Sequence, residues 1–362
     1  MTIPGRRSGT ALVSVLISTL LFGACGSGSG DLPPGDPGRN WTIPLNEVQD
    51  GGPGQDGIPA IDFPRFAPPD ASEFDFLRNT DYVIGVFIDG EYRAYPHMIL
   101  HYHEIVNDQV SFADFVLSYC PLTGSAVAWN ASGPEVDREF GVSGLLYNSN
   151  LILYDRATGS HWSQMLERAV RGSRVNEVPD RIQVVETTWA TWKAMYPDSK
   201  VLSTATGHER DYFAYPYGTY RWDDNLLFPV SNLDNRLHPK LRVIGINSGS
   251  VSKVYQIESF PAANVTLHEN INGAPVVVIG NSAANIAAIY SRELDDGTTL
   301  QFTPVQDQLP IVMTDTEGNL WDIFGVAVEG PRAGTRLGMT MSYTAMFFAW
   351  ATFFDNTEIH FN

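Results

Sequence analysis

Two stretches far apart in the chain carry the same local pattern. YVIGVFIDGEYRAYP, from Tyr82, and RVIGINSGSVSKVYQ, from Arg242, both read as strand, tight turn, strand. Asp89-Gly90 between alternating apolar residues is a strong hairpin signal. The likeness continues downstream. LILYDRATGSHW, from Leu151, matches PIVMTDTEGNLW, from Pro310, so Asp155, Gly159 and Trp162 answer to Asp315, Gly318 and Trp321. Val170-Arg171-Gly172 answers to Val328-Glu329-Gly330, and TTWATWKAMYPDSKV, from Thr187, to AMFFAWATFFDNTEI, from Ala345. In the earlier of these two segments Trp189, Trp192 and Tyr196 lie at i, i+3 and i+7, one face of a helix that Thr187 caps and Pro197 ends. Preserved order and a nearly constant offset predict a duplicated unit. The expected fold is α+β, predominantly antiparallel β, with two pseudo-repeats of a hairpin-rich unit, each closing on a helix.

The expected organisation follows. Residues 1–24 are a signal peptide, 25–57 a flexible tether, and 58–81 a lead-in. Residues 82–202 form the first repeat, 203–241 an aromatic connector, and 242–362 a degenerate second repeat. Arg6 and Arg7 precede the apolar run Ala11 to Ala24, too short to anchor as a span. Leu21-Phe22-Gly23-Ala24-Cys25 then looks like a bacterial lipobox, with Phe22 where leucine is more usual. Lipidation of Cys25 would hold the exported chain on a membrane, whether the cell membrane or an outer one. Gly26 to Asp56 has a linker composition, rich in Gly, Pro and Asp. Of the later apolar runs the longest is Met346 to Phe354, well short of a span. Signal cleavage takes the net charge from −18 to −20, and so acidic a surface repels phosphate and argues against nucleic acid.

Duplication separates scaffold from chemistry. Residues shared by both copies serve packing and turns; reactive residues confined to one copy need another reason. In the first copy these are Cys120, His97, His101, His103, Arg156, His161 and Gln164. Cys120 sits in FVLSYCPLTGSA, which predicts a strand ending in a tight turn, with Pro121 fixing the backbone and Gly124 free to take positive φ. The second copy has PVVVIGNSAAN there, without a thiol. PHMILHYHEIVND allows two readings. As a helix it puts His97, His101 and Glu104 on one face; extended, it points His101 and His103 the same way. His103-Glu104 followed by Asn107 misses the HExxH metalloprotease pattern, because Asn107 takes the second ligand position. A lone histidine is more often a hydrogen-bonded structural residue, the favoured reading for His97 and His101. Asp155 is expected to cap its turn, and Arg156 either pairs with an acid or grips an anion. RDYFAYPYGTYRW, from Arg210, reads as a stacking ligand wall or as an aromatic connector packed on both copies.

The combination IPAIDFPRF, GEYRAYP, HEIVND, SYCPLTGSA, YDRATGSHWSQ, TTWATW and RDYFAYPYGTY resembles a family of bacterial and archaeal envelope proteins, domain of unknown function 3179. The resemblance covers nearly all of the chain after the tether. It implies export, often as a lipoprotein, and supplies no activity. The family pattern usually has a second cysteine three residues after the first; this chain has Thr123. With Cys25 lipidated, Cys120 has no partner within the chain.

Three readings of Cys120 stay open: a buried inert thiol, a metal ligand suited with imidazoles to copper or zinc, and a thiolate nucleophile. The expected function is binding of a metal ion or small ligand around Cys120 and His103, with His101, Glu104, His161 and Arg156 as further candidates. The alternatives are a thiol-dependent enzyme using Cys120 and a non-catalytic envelope scaffold. The anchor has a direct test. Metabolic labelling with a fatty acid is expected to mark the wild type and not Cys25→Ser; a wild type released into the medium without acyl chains refutes the lipoprotein reading.

Overall fold

A computed structural model describes residues 41–132 and 139–361. The expected signal, the lipobox at Cys25 and the tether up to residue 40 lie outside the described residues. The chain opens with β1 (Val48–Asp50) and β2 (Phe66–Ala67). The Asp89-Gly90 hairpin forms between β3 (Tyr82–Ile88) and β4 (Glu91–Pro96). Its turn residues have φ of 46° and 79°, the positive values that a tight hairpin turn needs. A single-turn helix, α1 (His97–Leu100), follows. Next come an antiparallel meander of β5 (Ile105–Val110), β6 (Ala113–Cys120) and β7 (Ser125–Asn130), and a second of β8 (Phe140–Tyr147), β9 (Asn150–Asp155), β10 (His161–Ser163) and β11 (Arg168–Arg171). The short β12 (Arg181–Ile182) edges the first meander. β13 (Val184–Thr188) then returns antiparallel to β3, α2 (Trp189–Met195) crosses over, and β14 (Lys200–Leu202) runs parallel to β4.

Beyond the connector the chain forms the hairpin β15 (Arg242–Ser248) and β16 (Val251–Gln256). The meander of β17 (Val265–Ile271), β18 (Ala274–Asn281) and β19 (Ile286–Ser291) comes next, then β20 (Phe302–Pro304), β21 (Ile311–Asp315), β22 (Leu320–Asp322) and β23 (Ala327–Glu329). β24 (Ser342–Met346) returns antiparallel to β15, α3 (Phe347–Phe353) crosses, and β25 (Glu358–His360) runs parallel to β16. The order β24-β15-β16-β25 therefore matches β13-β3-β4-β14 strand for strand and direction for direction. The fold is α+β and predominantly antiparallel β.

Matching residues do matching work. The Trp162 indole donates to Asp155 at 3.0 Å, and the Trp321 indole to Asp315 at 2.8 Å. Each aspartate also accepts a backbone N–H of its own turn, as expected of a turn cap. The two halves share their cores. Trp129 and Trp162 pack in one cluster with Val243, Tyr343 and Trp350, whereas Val83, Trp189 and Trp192 pack in another with Val277 and Trp321. The hairpin and helix of each half thus cover the meanders of the other.

Two expectations need correction. The tether was drawn to residue 57, yet β1 pairs with β8 and Ile43 is buried. An edge strand is held through backbone N–H and C=O groups, which composition does not reveal. The cap of α2 is Thr188, whose side chain accepts from the Thr191 N–H. Thr187 instead sits in β13 and donates its hydroxyl to the Ala284 carbonyl.

Gly85 and Gly245 show why each half needs a bare backbone under its tryptophan. A Cβ would meet the Trp192 ring at 2.0 Å and the Trp350 ring at 2.2 Å. Neither ring is free to retreat, being fully buried, so overpacking of about 1–3 kcal/mol is expected at each site. Urea unfolding of Gly85→Ala and Gly245→Ala is expected to show similar losses; a neutral effect at either position would refute the packing equivalence.

Candidate functional site

The SYCPLTGS segment spends its polar groups internally. β6 ends at Cys120, β7 starts at Ser125, and Gly124 between them has φ of 57°, as the turn requires. The Ser125 hydroxyl donates to Gln164 at 2.7 Å, and the Asn150 amide donates to Thr123 and Gln164 at 2.9 and 2.7 Å. Gln164 returns a hydrogen bond to Ser118 at 2.9 Å. All five side chains are buried, so the network closes on itself and fixes the turn. Cys120 beneath it is 1% exposed, with its sulfur 3.8 Å from the Ser149 carbonyl. Burial, then the nearby Glu104, push the thiol up to about 11. A covered thiol that holds its proton has the geometry of the inert reading rather than of a nucleophile or a thiolate ligand.

The other expected residues disperse. His103 has both ring nitrogens occupied. Nδ1 donates to the Pro59 carbonyl at 2.8 Å, so Nε2 is the acceptor and takes the Tyr212 hydroxyl at 2.6 Å. Burial pushes it down to about 4, which leaves a neutral imidazole with both ring nitrogens engaged. His161 lies on β10 with its ring 5.4 Å from that of Trp41. Arg156 takes the ion-pair alternative, with Asp62 at 2.8 Å and Glu139 at 3.0 Å. Glu104 is buried, has φ of 59°, and accepts from the Tyr217 hydroxyl at 3.3 Å.

The helical reading of PHMILHYHEIVND holds for one turn, ending at the Pro96-capped α1, and that turn aims His97 and His101 the same way. They face a cavity of about 390 Å³, with Tyr119, Tyr215, Arg221 and Arg242 among its walls. The cavity lies where several parts of the chain meet, with Arg78, Asp81 and Tyr82 at the entry to β3 on its wall. α1 and the end of β6 supply the histidines and Tyr119; the connector supplies Tyr215, Arg221 and Trp222; the start of β15 supplies Arg242.

Its electrostatics are ordered by one buried pair. The Arg242 guanidinium grips both oxygens of Glu186, at 2.5 and 2.6 Å, and donates to the Gly124 carbonyl. Burial alone would raise Glu186, but Arg242 and then His97 outweigh it and hold the carboxyl near 2. Nε2 of His97 lies 3.2 Å from that carboxylate, though not in line for a hydrogen bond. Burial lowers His97 despite Glu186. His101 falls well below the ordinary range through burial, then through His97 and Arg221, and neither of its ring nitrogens has a partner. Arg221 lies over the rings of Tyr215 and Trp222, at 4.5 and 4.1 Å, and has no carboxylate partner among the described residues. Lys240, also on the wall, is paired with Asp223 at 3.1 Å.

Among the described residues no three His, Cys, Asp or Glu side chains converge as a metal site, so copper or zinc has no ready donor set there. What fold and cavity define is a predominantly antiparallel β protein with a cationic, aromatic-walled pocket at the seam of its two halves. The chain belongs to the family described as protein of unknown function (DUF3179), which matches residues 55–357. No curated protein matches it, and no solved structure does.

Sequence reasoning singled out His97 and His101 but favoured a structural role for them. It missed Arg221, Arg242, Glu186 and Tyr119. Tyr82 and Arg242 open corresponding strands of the two halves and both line the cavity, so a basic residue where the first half has tyrosine was the available signal.

Glu104 offers a pH test. Burial raises it to about 7 from an ordinary 4.5, partly offset by Tyr217. The folded state therefore holds a proton that the unfolded state has lost, and this contribution, present below pH 4.5, disappears as pH rises to 7. It amounts to about 3 kcal/mol. Glu104→Gln keeps the neutral form. Its stability relative to wild type is expected to climb from pH 4.5 to 7 and level off above; a flat difference across that range would refute a buried, protonated Glu104.

Proposed function

We propose that this chain is an exported, lipid-anchored binding protein whose site is the His97–His101–Arg221 cavity and whose ligand is a small organic anion. One observation carries the reading: a guanidinium without a carboxylate partner and an imidazole without any partner face the same cavity, in a chain of net charge −18. Arg156, Lys240 and Arg242 each have a carboxylate partner, whereas Arg221, like Arg78 on the same wall, has no ion pair among the described residues. A buried polar group left unpaired costs about 1–3 kcal/mol, so native proteins keep few of them. His101 is buried and bears that cost, while Arg221 is half-buried with only its Nε covered; a ligand that satisfies both recovers what they lose. The volume of about 390 Å³ falls within the ~300–1,000 Å³ usual for small-molecule sites.

The corresponding strand orders support reading the chain as two copies of one unit. At the same offset the second copy has Ile257 for His97 and Pro261 for His101, so the imidazoles belong to the first copy alone. Lipid anchoring rests on the Arg6-Arg7, apolar and Cys25 pattern, and would hold the pocket at the membrane surface. A metal reading would rely on His97 and His101 with no third donor at hand. The thiol-enzyme reading would need Cys120 uncovered. A pure scaffold gives no role to the cavity that Arg221 and His101 share.

Isothermal titration of the purified full-length chain with small carboxylates is expected to show saturable binding. Arg221→Met should weaken it at least tenfold, about 1.4 kcal/mol, without lowering Tm. Unchanged binding in that variant, or none in the wild type, refutes the reading.

A further inference from the structure

We infer that the anion is a hydroxylated carboxylate, its carboxylate seated on Arg221 and one of its hydroxyls on His101. The inference rests on the cavity being the ligand site and adds the chemical class.

Arg221 sets the first requirement. Its guanidinium lies over Trp222 at 4.1 Å and over Tyr215 at 4.5 Å, two rings 5.9 Å apart and inclined at 73°, which flank it without taking up its N–H groups. Its Nε is buried and unpartnered. A planar fork of donors matches a planar carboxylate with two parallel hydrogen bonds.

His101 sets the second. It is 5% exposed and lacks a partner at Nδ1 and at Nε2. A neutral imidazole presents one N–H donor and one lone pair, so its complement must both accept and donate. A hydroxyl can meet either nitrogen, as acceptor or as donor, and two hydroxyls on one skeleton can meet both. Sulfate or an ionised phosphate monoester offers acceptors only: it can take the N–H of either tautomer but leaves the other nitrogen's lone pair without a donor, unless the ring takes up a proton. Burial, His97 and Arg221 all oppose that proton. The rings of Tyr215 and Tyr119, 4.8 and 5.6 Å from that of His101, give the carbon skeleton aromatic faces to lie against.

The test is titration calorimetry on the full-length chain at pH 7.5 with D-gluconate and D-glucuronate, hexanoate, sorbitol and sulfate. Gluconate or glucuronate is expected to bind at least tenfold more tightly than hexanoate or sulfate, with sorbitol undetectable. His101→Phe should erase the advantage over hexanoate, and His101→Gln, which keeps a donor and an acceptor, should retain most of it. Arg221→Met should weaken both acids alike. If hexanoate matches the hydroxy acids, or sulfate binds best, the inference fails while the anion-binding reading stands. If no anion binds, both fail. Should His101→Phe not fold, as read by circular dichroism, the wild-type ratio of hydroxy acid to hexanoate decides alone.

Discussion

The Arg242–Glu186 pair is the contact on which the arrangement of the two halves turns. Arg242 opens the hairpin of the second half, and Glu186 sits in the returning strand of the first. Both side chains are largely withdrawn from water, where an unpaired charge would be strongly disfavoured; losing one partner of such a pair typically costs about 3–5 kcal/mol. Two-point contact with the carboxylate and a further bond to the Gly124 carbonyl satisfy the guanidinium. Gly124 is part of the same constraint. A Cβ there would stand 2.0 Å from the Arg242 nitrogen, in a left-handed backbone conformation as well. The conspicuous CPLTGS turn is therefore a seat for an arginine from the other half, with Cys120 packed underneath.

The exchange is reciprocal. The Met346 N–H of β24 donates to the Thr123 carbonyl at 2.8 Å, and the Thr187 hydroxyl of β13 to the Ala284 carbonyl at 2.7 Å. Each half thus docks its returning strand on the turn that ends the second meander strand of the other. With the tryptophan cores shared across the same boundary, the halves bury their apolar faces against each other, and a seam between them is unavoidable. One side of that seam carries α1 and the connector, and there the cavity opens. Of the groups on its wall, Arg242 is paired with Glu186, Lys240 with Asp223, and Asp81 accepts the Arg78 backbone N–H, whereas among the described residues Arg221 has no carboxylate partner and His101 no hydrogen-bond partner.

Periodicity and residue spacing were enough for the fold class and for individual hairpins and turns. Asp89-Gly90 marked a hairpin because few residue pairs accept two positive φ values in succession. The Asp155–Trp162 and Asp315–Trp321 spacings marked equivalent turns because the same indole-to-carboxylate bond closes both. Local signals also located the helix over Trp189, Trp192 and Tyr196, missing its cap by one residue, since Thr187 and Thr188 are equally suited to capping and only the Ala284 carbonyl separates them. The packed run from residue 41 to 57 was invisible, because its pairing with β8 uses backbone groups that every residue has.

The site divides differently. Sequence alone showed that Cys120, His97 and His101 have no counterparts at the matching positions of the second half, that Arg156 and Asp155 suit ion pairing and turn capping, and that a helical turn would align His97 with His101. Whether a side chain has a partner is a long-range property, and only the tertiary structure decided it. His103 meets Tyr212, 109 positions away, and has both ring nitrogens occupied. Cys120 is sealed by a network reaching Gln164. His101 meets aromatic rings and an arginine from the connector but no hydrogen-bonding partner. A sequence states which groups can donate, accept or carry charge; the fold determines which of them are already satisfied, and a binding site is built from those that are not.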